Sequence, residues 1–330
     1  MESTGIQVAF FQHIKTLLPE HIALVDAIAD ILNISNDSAY RRIRGEKPIS
    51  LEEMQMLAAH YKISLDQFMH LQSDSFIFSG RLTNPTSSAF DEWLASIYQN
   101  FSFLNTFKNR HLYFLTKDIP FTTHFQIPEL ASFKYFFWKK SILQNEAMRG
   151  IKFDINDMSK ETFELGRKVV EEYNKTPGTE VWNLESINST IRQIEYYREA
   201  KLFNSPSDVF LLYEKVEELI NHLEKQAEIG KKFMIGQQPA SDAGDYNLLH
   251  NDLILGDNSF LAVVDGLKIS FISHSVINYI STRDERFCTY RLNSMQNLIS
   301  KSTQISKVGE KERSRFFNRF YDKIRLSSRL

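Results

Sequence analysis

Apolar residues recur every three or four positions along most of the chain, which is the spacing of helices that bury one face. Near the N-terminus this spacing predicts helices over 6–18 and 22–32, and Pro19 closes the first of them. The stretch 33–35 interrupts the pattern, and a third helix is predicted from about 36 to 44. Two short helices joined by a tight turn are therefore expected.

Polar residues and a glycine mark the ends of the helices that follow. Gly45 can end the third helix, because glycine readily takes the left-handed conformation found after helices. Ser50 and Glu53 have the spacing of a capping box at the start of a fourth helix, LEEMQMLAAHY, and Ser64 can cap a fifth, LDQFMHL. The pattern predicts a compact bundle of five helices in this region.

Beyond the bundle the pattern changes twice. From 89 to about 232 it is mainly helical, although HLYFLTKD at 111–118 has the composition of a strand. Farther on, two runs of β-branched and aromatic residues flank Asp265 and Gly266, the pair best suited to a two-residue hairpin turn. Helical spacing then returns and continues into the last helix, GEKERSRFFNRFYDKI.

Composition and charge narrow the class of protein. With 42% apolar and 24% charged residues, the chain has the composition of an ordinary folded protein. Its net charge of −2 exerts no general attraction on nucleic acid, so binding of that kind needs a local cationic patch. The single cysteine, Cys288, allows neither an intrachain disulfide nor a multi-cysteine zinc site. Without a basic leader or a long apolar run, we expect a cytoplasmic protein with no membrane contact.

A cationic patch does occur in and after the third predicted helix. Its four cations lie within the segment RRIRGEK and are Arg41, Arg42, Arg44 and Lys47. Two interpretations stay open: the patch contacts DNA, or it is a solvated face that pairs with nearby acidic residues. The balance of residues 1–72, six cations against nine anions, favours the second interpretation, whereas residues 38–47 alone carry four cations against one anion, which favours the first.

Residues 24–68 resemble the lambda-repressor-like helix-turn-helix domain, also called the xenobiotic-response-element type. LVDAIADILNIS is similar to that family's second helix and turn, NDSAYRRIRGEKPIS to its recognition helix and exit loop, and LEEMQMLAAHYKISLDQF to its closing pair of helices. The family usually buries an apolar residue three positions after the one at Ala39, where this chain has Arg42, and the next apolar residue is Ile43. The resemblance implies binding to double-stranded DNA, and the departure at Arg42 implies a recognition helix that is rotated or longer than usual in the family.

The resemblance also implies which side chains contact DNA. A helix in the major groove needs an apolar inner face, here Ala39 and Ile43 with part of Tyr40, and an outer face of hydrogen-bond donors. By analogy with the family, residues 36–38 lie nearest the base edges, and Arg41 and Arg44 contact guanine or phosphate. The predicted DNA-binding residues are Ser35, Asn36, Asp37, Ser38, Tyr40, Arg41, Arg42, Arg44 and Lys47.

Together these observations predict a fold class and a domain organisation. Residues 1–73 are expected to form an all-α helix-turn-helix bundle of five helices that binds DNA. Residues 74–88 form a linker or docking segment. Residues 89–330 form an α+β domain for sensing or dimerisation that is mostly helical with a small antiparallel sheet.

The usual sequence motifs of enzymes are absent. The chain has no P-loop, no G-x-G-x-x-G, no nucleophile elbow and no H-E-x-x-H, and its nine histidines are scattered. No metal site and no cofactor are therefore predicted. The stretch FISHSVINY around His274 is faintly similar to phospholipase-D-like domains, but Val276 stands where their motif needs a lysine.

One aromatic run has two interpretations. KYFFWKK at 134–140 could stack a ligand or nucleic acid, because aromatic residues interleaved with lysines suit both. Such a run is more often a buried helix face with lysines emerging at its rim. We expect the second interpretation, in which these residues belong to the core.

Three functional hypotheses follow from the sequence. The chain is expected to be a sequence-specific transcriptional regulator and not an enzyme, with a C-terminal domain that forms a homodimer and/or senses an unknown ligand or protein effector. The alternative is an adaptor whose helix-turn-helix bundle contacts protein instead of DNA. A third hypothesis, an enzyme in the C-terminal domain, has no motif in its support.

Overall fold

The computed structural model divides into two compact units, Met1–Ile77 and Phe78–Leu330. The three-part domain organisation expected from the sequence, with its segment at 74–88, stays a prediction. The structure describes residues 3–18, 22–61, 63–69, 76–80, 89–252, 258–273 and 278–329.

The N-terminal unit consists of helices around one apolar core. Those helices are α1 Ser3–Leu17, α2 Leu24–Leu32, α3 Asn36–Ile43, α4 Leu51–Tyr61 and α5 Leu65–Phe68. Phe10 of α1, Ile28 of α2, Ala39 of α3 and Leu57 of α4 are all buried in that core, so the first four helices depend on one another for their packing. Each helix lies within a few residues of one predicted from the apolar spacing.

In the described part of the second unit, eight strands form one mixed sheet. The strands are β1 Ser79–Gly80, β2 Arg110–Leu115, β3 Gly178–Trp182, β4 Tyr246–His250, β5 Ser259–Val264, β6 Leu267–Ser273, β7 Tyr279–Thr282 and β8 Thr303–Gln304. Their order is β1-β7-β6-β5-β2-β3-β4-β8, in which β2, β3 and β4 are parallel and the other neighbours are antiparallel. The unit is α+β, but the expected small antiparallel sheet is wrong.

Strand β3 shows why the sequence pattern underestimated the sheet. All five of its residues are buried, so it lacks the alternation of a strand with one exposed face. It also contains Glu180, and a charged residue is rarely buried unless it is paired. Trp182 Nε1 donates to the Glu180 carboxylate at 2.9 Å, the Tyr173 hydroxyl donates to it as well, and Lys232 Nζ lies 3.8 Å away. Tyr173 and Lys232 are brought there by tertiary folding, which the local pattern does not encode.

Helices cover both faces of this sheet. They are α6 Ala89–Asn105, α7 Phe121–His124, α8 Pro128–Phe137 with a π-helical turn at Trp138–Ile142, α9 Lys160–Lys175, α10 Asn188–Glu199, α11 Ser207–Ile229, α12 Glu285–Ser300 and α13 Glu310–Ser328, and a short 3₁₀ turn lies at Glu146–Met148. Because side chains alternate along a strand, Trp182 and Leu248 face a core shared with α11 and α13. Val181 and Leu249 face the opposite side, where they pack near Leu298 of α12.

Strands β5 and β6 form the hairpin that the sequence predicts. Their register runs from Ser259 opposite Ile272 to Val264 opposite Leu267. Asp265 and Gly266 connect them with positive φ angles of 44° and 88°, as a type I′ turn requires. The hairpin prediction is confirmed.

Candidate nucleic-acid interface

The turn between α2 and α3 is fixed by its own backbone and by one polar cap. Asn33 takes the left-handed conformation with φ 52°, and the Ile34 amide donates to the Ala29 carbonyl at 3.0 Å. Ser35 Oγ then accepts from the Ser38 amide at 3.4 Å and caps α3. The sequence therefore sets the direction in which α3 leaves the turn.

Helix α3 presents one face to the core and another to solvent. Ala39 is completely buried and Ile43 is half-buried in the core of the unit. Tyr40, which the sequence placed partly on the inner face, is 49% exposed, and Arg41 and Arg44 are exposed as well. The outer face thus carries one aromatic ring and two guanidinium groups.

Arg42 is placed differently from its neighbours. Its side chain is only 6% exposed, and its guanidinium forms a bidentate ion pair with Glu53 of α4, with Nε to Oε2 at 2.9 Å and Nη2 to Oε1 at 2.6 Å. Nη1 donates to the Ser38 carbonyl at 3.1 Å. Arg42 occupies the inward position where the resemblance expects an apolar residue, and its ion pair removes the reason to expect a rotated helix.

Glu53 has a second role at the start of α4. Its Oε2 accepts from the Ser50 amide at 3.1 Å, while the Glu53 amide donates to Ser50 Oγ at 3.1 Å. These reciprocal bonds confirm the predicted capping box. The hydrogen bond from Arg42 is the main cause that lowers the pKa of Glu53, so the carboxylate stays charged under mildly acidic conditions.

A glutamine from α1 holds the exit loop of α3. Gln7, with 9% of its surface exposed, donates from Nε2 to the carbonyls of Arg42 at 2.7 Å and Lys47 at 2.8 Å. Its Oε1 accepts from the Ile49 amide at 3.0 Å. One side chain therefore joins both ends of the loop that carries Arg44 and Lys47.

The structure brings most of the predicted site residues to one exposed surface. Asn36 Nδ2 donates to Asp26 at 2.9 Å, and Arg44 lies 3.8 Å from Glu46 and within 5.7 Å of the Tyr40 ring. Ser38 is half-buried and Arg42 is buried. The residues that remain exposed are Ser35, Asn36, Asp37, Tyr40, Arg41, Arg44 and Lys47. We define these seven as the α3 outer face.

Sequence reasoning missed Gln7 entirely and assigned Glu53 only to the cap. A signal for Gln7 exists, because it lies three and four positions before Phe10 and Phe11 and therefore on the buried face of α1. The pairing of Arg42 with Glu53 has no such signal, since it depends on how α3 meets α4. Gln7 and Glu53 therefore hold α3 and its exit loop in place, although neither belongs to the α3 outer face.

The described residues give little support for other kinds of site. Within the described ranges, no group of three or more His, Cys, Asp and Glu side chains is arranged to hold a metal ion. Across the helices of those ranges, no stretch combines the length and hydropathy that crossing a bilayer demands. His274 and Val276, noted for their faint similarity to phospholipase-D-like domains, lie outside the described residues.

Comparison with known proteins assigns the N-terminal region to a domain type. Residues 18–90 match the model of the BetR domain, a helix-turn-helix-type domain in transcriptional regulators. The match covers the turn, α3 and the closing helices, and it extends over less than a quarter of the chain. Neither the curated proteins nor the solved structures contain a match to this chain.

Proposed function

We propose that this chain is a sequence-specific DNA-binding transcriptional regulator that reads an operator with helix α3. The observation that carries the proposal is the exposed cationic surface formed by Arg41, Arg44 and Lys47, within a region that matches the BetR domain. These three cations outnumber the one anion between 38 and 47, Glu46, now that Arg42 is neutralised by Glu53. The proposal assigns no enzymatic activity to the chain.

The exposed side chains of the α3 outer face take different roles in this proposal. Asn36 and Asp37 stand at the first turn of α3 and contact base edges, for which amide and carboxylate groups offer matching donors and acceptors. Arg41 and Arg44 contact guanine or phosphate, since a guanidinium fork suits both. Lys47, in the exit loop, contacts phosphate. Arg42 positions α3 against α4 and makes no contact with DNA.

We further propose that the second unit forms a homodimer and/or senses a ligand or a protein partner. One helix-turn-helix makes few contacts, and two of them joined in one assembly multiply affinity and specificity. An effector changes operator affinity only if it binds two arrangements of the assembly unequally.

Selection of bound fragments from random or genomic DNA tests the proposal. We expect an enriched site whose affinity falls steeply with salt, because neutralising phosphates releases counterions. In the double variant Arg41→Ala/Arg44→Ala, each lost phosphate contact lowers the salt slope by about 0.9, and a lost bidentate base contact reduces discrimination by about 1–3 kcal/mol.

Lys15→Ala is the matched control, because Lys15 is an exposed cation of the same unit that lies in α1 and outside the α3 outer face. Its affinity and salt slope are expected to equal those of the wild type. Absence of an enriched site, or binding that is indifferent to Arg41 and Arg44, would contradict the regulator proposal for the unliganded protein.

A second candidate function, a protein-binding adaptor, is favoured by one observation. Residues 1–72 carry six cations against nine anions, which is an unusual balance for a domain that binds DNA. An adaptor predicts weak DNA binding with little response to salt. The same titration therefore separates the two candidates.

A further inference from the structure

A cavity of about 1270 Å³ lies within the second unit, at the carboxyl ends of strands β2 and β3. Thr116 and Asp118, which follow β2, line it together with Asn183, which follows β3. Strands β2 and β3 are parallel neighbours, so the loops that follow them leave the sheet at the same edge. Open sheets with parallel strands bind their ligands in such a place.

The polar wall of the cavity contains a buried cation. Lys134 is 2% exposed, and its Nζ donates to Thr190 Oγ1 at 2.9 Å and Gln193 Oε1 at 2.8 Å. The nearest carboxylate oxygen belongs to Asp118 and lies 3.9 Å from Nζ. Burial lowers the pKa of Lys134, and Asp118 opposes that shift. Burial also holds the pKa of neighbouring His124 well below its ordinary value, so this imidazole is neutral and adds no charge.

The two carboxylates of the lining already have cationic partners. Asp118 faces Lys134, and Glu185 lies 3.5 Å from Lys323, a residue outside the lining. Each carboxylate already offsets the charge of one cation, so neither fully neutralises a second cation.

Two other cations of the lining have no carboxylate partner among the described residues. Lys140 Nζ donates to the carbonyls of Met148 at 2.6 Å and Ile151 at 2.7 Å, which satisfies two of its three hydrogens without cancelling its charge. Arg192 of α10 is exposed, and its guanidinium forms no hydrogen bond or ion pair with the residues that the structure describes. The cavity therefore has an excess of positive charge and a free planar donor group, which suits an anion.

The remaining wall of the cavity is aromatic. Trp93 packs against Phe121 with ring centroids 4.9 Å apart and against Trp138 at 5.8 Å. Trp138 belongs to the run KYFFWKK, in which Lys134, Phe136 and Trp138 are buried and the other residues are half-buried. The run contributes to the core, as expected, but it also lines the cavity with both a cation and an aromatic ring. Flat rings of this kind favour a flat apolar group.

We propose that this cavity binds a small organic anion, namely an aromatic or similarly flat molecule that carries a carboxylate or a phosphate. Arg192 and Lys140, the two cations of the lining whose charge no described carboxylate offsets, attract the anionic group, and Trp93 and Trp138 pack against the apolar body. Cavities that enclose small molecules have volumes of about 300–1,000 Å³, so this one has room for a whole molecule beyond a bare ion. The role of such an anion as an effector rests on the proposed function, whereas its binding does not.

Tryptophan fluorescence of the full chain tests the binding directly, because two of the three tryptophans line the cavity. The probes are 4-nitrobenzoate and 4-nitrophenyl phosphate, whose nitroaromatic rings quench indole emission, and the neutral control is 4-nitrobenzyl alcohol. We expect saturable quenching by at least one anion with a Kd of about 1 mM or tighter, as is reasonable for a molecule of this size. The alcohol should bind about tenfold more weakly. The tighter of the two anions shows whether the site prefers carboxylate or phosphate.

Variants of Arg192 test the assigned role of its guanidinium. Arg192→Ala should weaken binding of the preferred anion about tenfold and leave that of the alcohol unchanged, and Arg192→Lys should restore part of the loss. Arg315→Ala is the matched control, because Arg315 is an exposed arginine on helix α13 and outside the lining. Quenching by neither anion, equal affinity for anion and alcohol, or an Arg192→Ala variant that binds like the wild type would each overturn the proposal.

The effector role is tested separately on DNA. A saturating concentration of the preferred anion should change the affinity for the selected operator, and an unchanged affinity would overturn that role. Failure of the wild type to select an operator would overturn the proposed function instead, and it would leave the fluorescence result intact.

Discussion

Arg42 stands beside Arg41, which faces solvent, yet the Arg42 side chain is buried and bonded to Glu53. Consecutive residues of a helix are turned by about 100° from one another, so adjacent arginines reach different surroundings. A count of charges along the sequence treats the two as equal and therefore overestimates the exposed patch. At the residue scale, the four clustered cations divide into three for the surface and one for the contact between α3 and α4.

The Arg42–Glu53 pair predicts that replacing Glu53 costs more stability than replacing Arg42. Glu53→Ala leaves a buried guanidinium without its carboxylate partner and removes one of the two hydrogen bonds of the α4 capping box, so we expect the N-terminal unit to lose about 3 kcal/mol of unfolding free energy. Arg42→Met fills the same space with an apolar side chain and leaves Glu53 free to cap α4. We therefore expect a loss of only about 1 kcal/mol of unfolding free energy. Urea unfolding followed by far-ultraviolet circular dichroism measures both, because every tryptophan lies in the second unit and its fluorescence does not report on the first.

Glu52→Ala provides the control for that comparison. Glu52 is an exposed acid in the same first turn of α4 and has no ion pair with Arg42, so its loss should cost about 0.5 kcal/mol or less. Equal losses in the Glu53 and Arg42 variants would contradict the buried-pair interpretation.

The same pair predicts how stability responds to acid. The pKa of Glu53 is lower in the folded protein than in the unfolded chain, chiefly because Arg42 donates to the carboxylate. Its contribution is therefore fully present above the unfolded pKa, about 4.3, and is lost as the pH falls through the lower folded pKa. The difference in urea midpoint between the wild type and Glu53→Gln should be constant from pH 7 to about 5 and should shrink at lower pH. A difference that stays constant down to pH 3 would show that ionisation of Glu53 contributes nothing.

At the scale of elements, local patterns predicted what local forces determine. The helices of the first unit follow from apolar spacing, the α4 cap from Ser50 and Glu53, and the hairpin from Asp265 and Gly266. The sheet did not follow, because β3 is short, buried throughout and interrupted by Glu180. The stability of β3 depends on residues that are distant along the chain. The local spacing of apolar residues carries no information about those residues.

The packing of α1 against the α3 exit loop predicts the effect of removing Gln7. Gln7→Ala leaves the Lys47 carbonyl and the Ile49 amide without this partner and removes one of the two hydrogen bonds to the Arg42 carbonyl, so we expect a loss of about 2 kcal/mol in the stability of the first unit. DNA binding should weaken as well, because the loop that carries Arg44 and Lys47 is held less firmly. The two measurements are urea unfolding by circular dichroism and affinity for the selected operator.

Gln12→Ala is the matched control, since Gln12 is an exposed glutamine of the same helix. Its stability should stay within about 0.5 kcal/mol of the wild type. If Gln7→Ala behaves like Gln12→Ala, the hydrogen bonds across the loop do not stabilise the unit.

At the scale of the whole molecule, the small net charge limits the affinity for DNA that the proposed function can expect of one chain. The chain has a net charge of −2, so attraction to DNA must come from the α3 outer face and not from the overall field. A single exposed face with three cations supports only modest affinity. The proposed regulator therefore gains most of its affinity by presenting two such faces at once.

Two faces in one assembly predict a strict dependence on operator geometry. A duplex with two half-sites whose centres are about 10 bp apart presents both to the same side of DNA, and we expect it to bind about 100-fold more tightly than a single half-site. Inserting about 5 bp between the half-sites turns them to opposite sides and should remove most of that gain. Fluorescence anisotropy with the selected operator measures each affinity, and titration at high DNA concentration gives the stoichiometry, expected to be two chains per duplex. Equal affinity for one and two half-sites would show that the chain binds as a monomer, and the second unit would then act on DNA binding without pairing two α3 outer faces.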